Sequence, residues 1–129
     1  MEKIVIYRAS DGTDFDDATE CREYEFAENT KDCRYSLLDN HFQPLDQSLP
    51  GSYDSCFYIF VPDENAMEDL YDCWDDDLIG TYCPSFISYG APTGLYAYDS
   101  DSEEWFHVGK KIAELQDLAN RAMEVINGV

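Results

Sequence analysis

Asp99, Asp101 and Glu103 alternate as the oxygen ligands of a calcium loop do. A working loop also needs a glycine sixth and a glutamate twelfth, inside a helix–loop–helix. Counted from Asp99, those positions hold Glu104 and Lys110, which leaves a solvated acidic hairpin tip. Asp75, Asp76 and Asp77 form an acid run that would hold a cation weakly. Mg²⁺ usually borrows part of its shell from substrate phosphates, and no phosphate-binding loop is present. The five cysteines (Cys21, Cys33, Cys56, Cys73 and Cys83) contain no C-x-x-C, and His41 and His107 have no ligand-spaced Cys or His beside them. A structural zinc site is therefore not expected. Five cysteines cannot all pair within one chain, so reduced thiols are expected, with Cys21, Cys56 and Cys73 packed as small hydrophobes. There is no G-x-S-x-G, glycine-rich phosphate cradle or H-E-x-x-H. We expect neither enzymatic activity nor a cofactor nor a bound metal.

The stretch IVIYRASDGT invites comparison with the haloacid dehalogenase phosphatases, where an apolar strand runs into D-x-D-G-T and the first Asp is the nucleophile. Asp11-Gly12-Thr13 resembles the tail of that motif. Ala9 stands at the nucleophile's position, and no carboxylate is there to attack a phosphoryl group.

The acids carry the strongest signal. Against 28 Asp and Glu stand 8 Lys and Arg, a formal charge of -20. The imbalance is concentrated: residues 9–106 hold 24 acids and only three cations, Arg22, Lys31 and Arg34. An ordinary solvated surface mixes both signs. Such a field repels DNA, RNA and anionic membrane, which excludes them as direct partners. The longest apolar run, Cys56 to Val61, is six residues, far short of a membrane span. The opening MEKIVIY has no long apolar core, so a secretory signal is not expected.

The length, 129 residues, suits one domain, and 44% hydrophobic and 15% aromatic content can fill its core. Residues 3–9 are apolar and β-branched, as a strand requires, with a turn at Gly12. Asp14 or Asp16 is placed to cap a helix to about Glu28, with Phe15, Ala18, Cys21 or Arg22, and Tyr24 or Glu25 facing inward. Arg34 to Leu38 reads as a strand and Phe42 to Leu45 as its hairpin return, while residues 47–52 (QSLPGS) are loop-like. Residues 55–61 (SCFYIFV) form the strongest strand, expected at the sheet centre. Asp63 then caps a second helix whose stripe is Met67, Leu70, Tyr71, Trp74 and Leu78, ending near Gly80. Residues 81–94 read as a long irregular connection, in part able to pack as a strand. Leu95 to Tyr98 and Trp105 to Val108 flank the DSDSEE turn as a hairpin. Lys110 to Ile126 is the clearest helix, with Ile112, Leu115, Leu118 or Ala119, Ala122 and Ile126 as its inward face. The sum is a single α+β domain over residues 1–129, mainly antiparallel, with about three helices.

On the second helix, Glu64, Glu68, Asp72 and Asp76 recur every four residues, which sets them about 6 Å apart along one face. Asp69 and Asp75 flank that row, and Asp77 follows as the last of the acid run. Duplex DNA shows one charge per about 3.4 Å per strand. A carboxylate row on a helix is a coarse imitation of a phosphate edge, and Asp99, Asp101 and Glu103 or the acids of the first helix would extend it. Ten tyrosines add interface-prone side chains, with Tyr82, Tyr89, Tyr96 and Tyr98 in or near the irregular stretch.

Three segments together resemble small accessory proteins of bacteriophages, prophages and other mobile elements: IVIYRASDGTDFDDATECREYEF, FYIFVPDENAMEDL and GLYAYDSDSEEW. Acidic anti-CRISPR and anti-restriction proteins are their functional neighbours. The resemblance implies a bacterial host cytoplasm and a stoichiometric inhibitor of a defence nuclease. Its partner would be a host protein with a basic nucleic-acid-binding surface. The expected contact residues are the acids named above together with Tyr89 and Tyr96. The alternative is an interaction or assembly module, a homodimer among its forms, using an aromatic surface around residues 81–98.

Overall fold

Five strands make one antiparallel sheet in the order β4-β3-β5-β6-β7 in a computed structural model that describes residues 4–81 and 83–128. The strands are β3 (Ser36–Leu38), β4 (Pro44–Leu45), β5 (Tyr58–Val61), β6 (Gly94–Asp99) and β7 (Glu104–His107). The molecule is α+β, as its pattern requires. The most apolar strand, β5, is central. Its Ile59 and Val61 are buried with Leu37 of β3 and Tyr96 of β6 on one face of the sheet. Helices α1 (Ala18–Thr30) and α3 (Glu64–Cys73), with the short α2 (Pro50–Ser55) and α4 (Asp76–Ile79), supply Phe26, Tyr53, Met67, Leu70 and Ile79 to that core. A fifth helix, α5 (Val108–Ile126), ends the fold.

Several sequence expectations are corrected. The opening segment is not a strand of the main sheet: only Tyr7–Arg8 (β1) is extended, paired with Asp14–Phe15 (β2) in a separate two-stranded ribbon. Ile4, Val5 and Ile6 have no ladder partner and are exposed. Asp14 therefore belongs to a strand, bound to Arg8 at 2.7 Å, and Asp17 caps α1 by accepting from the Thr19 amide. The later start moves the inward face of α1 to Cys21, Phe26 and Thr30, leaving Ala18 exposed. Residues 50–55 are helical, because Pro50 opens α2 where a proline costs no hydrogen bond. That helix consumes Ser55 and shortens β5. Among the described residues, five helices replace the expected three.

The second helix breaks in two. Trp74 is extended, and the Asp75 carboxylate accepts from the Leu78 amide, capping α4. An Asp run competes with helix continuation because its short side chains bind nearby backbone amides. Trp74 instead lies edge-on to Tyr53, with ring centroids 5.4 Å apart. Gly80 ends α4 in the left-handed region at φ 81°, where its lack of a Cβ is needed. The stretch from residue 83 to 93 forms no strand, although Ile87 is buried and Phe86 packs against the core. Tyr71, expected in the buried stripe, is exposed.

Candidate acidic partner-binding site

Local sequence places the carboxylates. Asp63 caps α3 through the Ala66 amide at 2.8 Å, which sets the helix phase. With Ala66, Met67 and Leu70 buried, Glu64, Glu68 and Asp72 fall on the solvent side, successive turns apart. Asp76 leaves this row because it belongs to α4. The break has a second effect. It gathers Asp75, Asp76 and Asp77 with Asp69 and Asp72 of α3 and Glu25 of α1 around one groove of about 630 Å³. Among the described residues Arg22 is the only cation lining it, and Phe26, Cys33, Cys73 and Trp74 form part of its wall. The concentrated negative feature is thus a groove between α1 and α3–α4 rather than the edge of a single helix.

Two of the groove acids are already engaged by cations. The Arg34 guanidinium donates to both Asp69 oxygens at 2.9 and 3.1 Å, and the Arg34 amide adds a third bond. These bonds hold the Asp69 carboxyl below the usual carboxylate range against the opposing effect of burial. Arg22 grips Asp75. Partial burial pushes Asp75 up, but Arg22 and the Leu78 amide together outweigh it and bring it below the ordinary value. Asp72 accepts the Tyr89 hydroxyl at 2.7 Å, which pushes the Tyr89 phenol up to about 12. Tyr71 and Tyr89 lie together, ring centroids 4.3 Å apart, both exposed beside these acids. Glu64, Glu68, Asp76 and Asp77 make no ion pair among the described residues, so most of the negative charge here is open to solvent.

The other expected contact residues divide. Asp99, Asp101 and Glu103 do occupy a hairpin tip between β6 and β7, where Asp99 accepts the Asp101 amide at 3.0 Å and Glu103 has φ 56°. This tip borders a different groove, shared by Asp99 and Glu104 with Lys110 and Lys111, so its field is of mixed sign. Tyr96 is removed from the contact set. It is 4% exposed, stacked on Phe86 at 3.8 Å and bonded through its hydroxyl to the Pro92 carbonyl. Tyr82 lies outside the described residues. The aromatic surface expected around residues 81–98 contracts to Tyr89 and Tyr98, with Tyr71 beside Tyr89.

Sequence reasoning missed Glu25 and Tyr71. Glu25 is brought in by the register of α1, and Tyr71 by the phase of α3, whose buried residues are Ala66, Met67 and Leu70. The one advance signal was the Asp75-Asp76-Asp77 run, which carries capping side chains in mid-helix.

Among the thiols, burial pushes Cys33 and Cys56 up to about 12, so both are protonated and weakly nucleophilic at neutral pH. Cys21 and Cys56 are buried and Cys73 is half-buried against Tyr35, 3.0 Å from its hydroxyl. Among the described residues, no group of three His, Cys, Asp or Glu is arranged to hold a metal ion, and no helix is long and apolar enough to cross a membrane. Comparison of the sequence with family models and curated proteins, and of the chain with solved structures, returns no match.

Proposed function

We propose that this protein is a phage- or mobile-element-encoded, non-enzymatic inhibitor that binds a basic nucleic-acid groove of a bacterial defence nuclease. The observation that carries this reading is the convergence of Glu25, Asp69, Asp72, Asp75, Asp76 and Asp77 on one groove lined, among the described residues, by a single cation. Carboxylates held at the repulsive cost of such proximity suit a partner whose own surface is cationic. Docking would release the cations gathered at the acidic groove, as nucleic acid sheds its own condensed counterions when it binds such a surface. Glu64 and Glu68 extend the charge along α3, and Tyr71 with Tyr89 offers apolar area with polar tips beside it. The mimicry is of a short curved charge cluster, not of a straight phosphate edge, since Asp76 leaves the α3 row.

The test is capture of bacterial lysate proteins on the immobilised chain, followed by elution with rising salt and with duplex DNA. Nucleic-acid-binding proteins should be retained at low salt and released by both eluents. The Glu68→Lys, Asp72→Lys, Asp76→Lys triple variant should retain none of them while keeping its circular dichroism. Capture that survives high salt and the triple variant would refute an acidic contact.

A further inference from the structure

The fold leaves one apolar surface uncovered and a second only partly covered, with Ala97 buried and Leu38, Tyr58 and Leu95 half-buried on it. The first is α5. From Lys110 to Gly128 every residue is exposed, and Ile112, Leu115, Leu118, Met123, Val125 and Ile126 are each at least 50% exposed. The apolar face that the sequence predicts to be inward is real, but it meets solvent. The second is the outer face of the sheet. Opposite the buried Leu37–Ile59–Tyr96 row, Tyr58 of β5 pairs with Ala97 of β6, and Ala97 with Phe106 of β7. Phe60 and Phe106 are 40% and 37% exposed, and Phe42 stacks on Tyr58 while 54% exposed. A sheet with apolar side chains on both faces requires a layer on each.

The chain connection explains why α5 does not supply that layer within its own copy. Strand β7 ends at His107 and α5 begins at Val108, with no linker, whereas strand–helix connections usually take about 2–6 residues. His107 fixes the exit: Nδ1 accepts the Lys110 amide at 3.1 Å, and Nε2 lies 2.7 Å from the Thr93 carbonyl oxygen. Gly94 and Gly109 permit this packing, since a Cβ on either would fall within 2.9 Å of the imidazole.

We infer that the protein is a homodimer in which α5 of each copy covers the outer sheet face of the other. Three features select a second copy as the occupant. The apolar positions of α5 are about four in seven, a stripe suited to a flat surface and too broad for a two-helix seam. Its charges balance, with Lys110, Lys111 and Arg121 against Glu114, Asp117 and Glu124, while on the outer sheet face Leu38, Tyr58, Phe60, Leu95, Ala97 and Phe106 carry none, and the acids Asp99 and Glu104 stand at the hairpin end of that face beside Lys110 and Lys111 of their own α5. Away from that hairpin end, this is a part of a molecule of charge -20 that another copy's charge-balanced helix can approach without opposed carboxylates. The area also suffices. A 19-residue helix is about 28 Å long, and half its surface is about 500 Å². Counted on both surfaces and twice by symmetry, that removes about 2,000 Å² from water, the scale of an obligate homodimer. The inference does not depend on the proposed target, and the salt response separates the two: dimerisation should hold or strengthen with salt, while capture of a basic partner weakens.

Light scattering coupled to size exclusion, on the full chain at micromolar concentration, should give twice the 14.8 kDa chain mass. Leu115→Glu with Leu118→Glu, at exposed positions whose change leaves the core intact, should weaken association more than about 100-fold. Phe60→Thr with Phe106→Thr should do the same from the sheet side, and unchanged urea unfolding of the isolated monomers checks that both variants fold. Mixing the two variants should restore a heterodimer, because one helix–sheet contact survives in the mixture. A monomeric wild-type chain, or a dimer insensitive to the helix variant, overturns the proposal. Dissociation by the helix variant alone, without recovery on mixing, also overturns it, in favour of helix–helix pairing.

Discussion

Arg22 reaches both carboxylate oxygens of Asp75, at 3.0 and 2.8 Å, across 53 residues of sequence. The contact ties α1 to the N-cap of α4 and places Arg22, the one cation lining the groove among the described residues, against that capping acid. Both side chains are more than a third exposed, so the pair contributes little to stability and more to the shape of the local field. Arg22→Ala should therefore leave the melting temperature nearly unchanged while raising the salt needed to elute the protein from immobilised polylysine. Elution at lower salt than wild type would contradict the assigned role.

Tyr89 reports on the same groove. Its phenol is raised to about 12 chiefly because Asp72 accepts its hydroxyl. In Asp72→Asn the charge is gone, and the Tyr89 value should fall toward about 10. An NMR titration of the tyrosine ring carbons measures this directly. No change on substitution would mean that Tyr89 does not lie against Asp72 in solution.

Asp69 links the site to stability. Its folded value is lowered, mainly by the Arg34 hydrogen bonds, so the ionised form stabilises the fold. For a lowered acid, that contribution is complete above the unfolded value near about 4 and is lost as pH falls through the folded one. The stability gap between wild type and Asp69→Asn should be constant from neutral pH to about 5 and close below about 4. Urea unfolding at a series of pH values tests the sign. A gap that widens on acidification would refute the pairing.

Tyr53 anchors the core beneath the groove. It is 3% exposed, touches Phe26, Tyr35 and Trp74 with its ring, and bonds the Gln47 carbonyl and the Tyr35 hydroxyl. Tyr53→Ala should cost about 3–5 kcal/mol, from lost transfer and an unfilled cavity. Tyr53→Phe should cost about 1–2 kcal/mol, from buried polar groups left without a partner. Equal losses in chemical denaturation would show that the hydroxyl, not the ring, dominates.

Much of the fold was legible because its signals are local. The run through Tyr58–Val61 requires burial on both sides and lies third of five strands. The capping Asp63, the left-handed Gly80 and the hairpin around residues 99–104 also followed from side-chain chemistry acting within a few residues. The clustering of Asp69, Asp72 and Asp75–Asp77 was likewise visible as an acidic stretch.

Other features depend on which surfaces meet. Whether Asp75 continues a helix or caps a new one depends on Arg22 of α1 and on Trp74 finding Tyr53, contacts between residues far apart in sequence. Tyr96 and Tyr89 are the same residue type in the same neighbourhood, and packing under Phe86 buries one while Asp72 holds the other at the surface. The period of α5 announced an apolar face. Only the tertiary structure decided that the face meets no core of its own, because amphipathicity requires a covering surface without specifying which chain provides it.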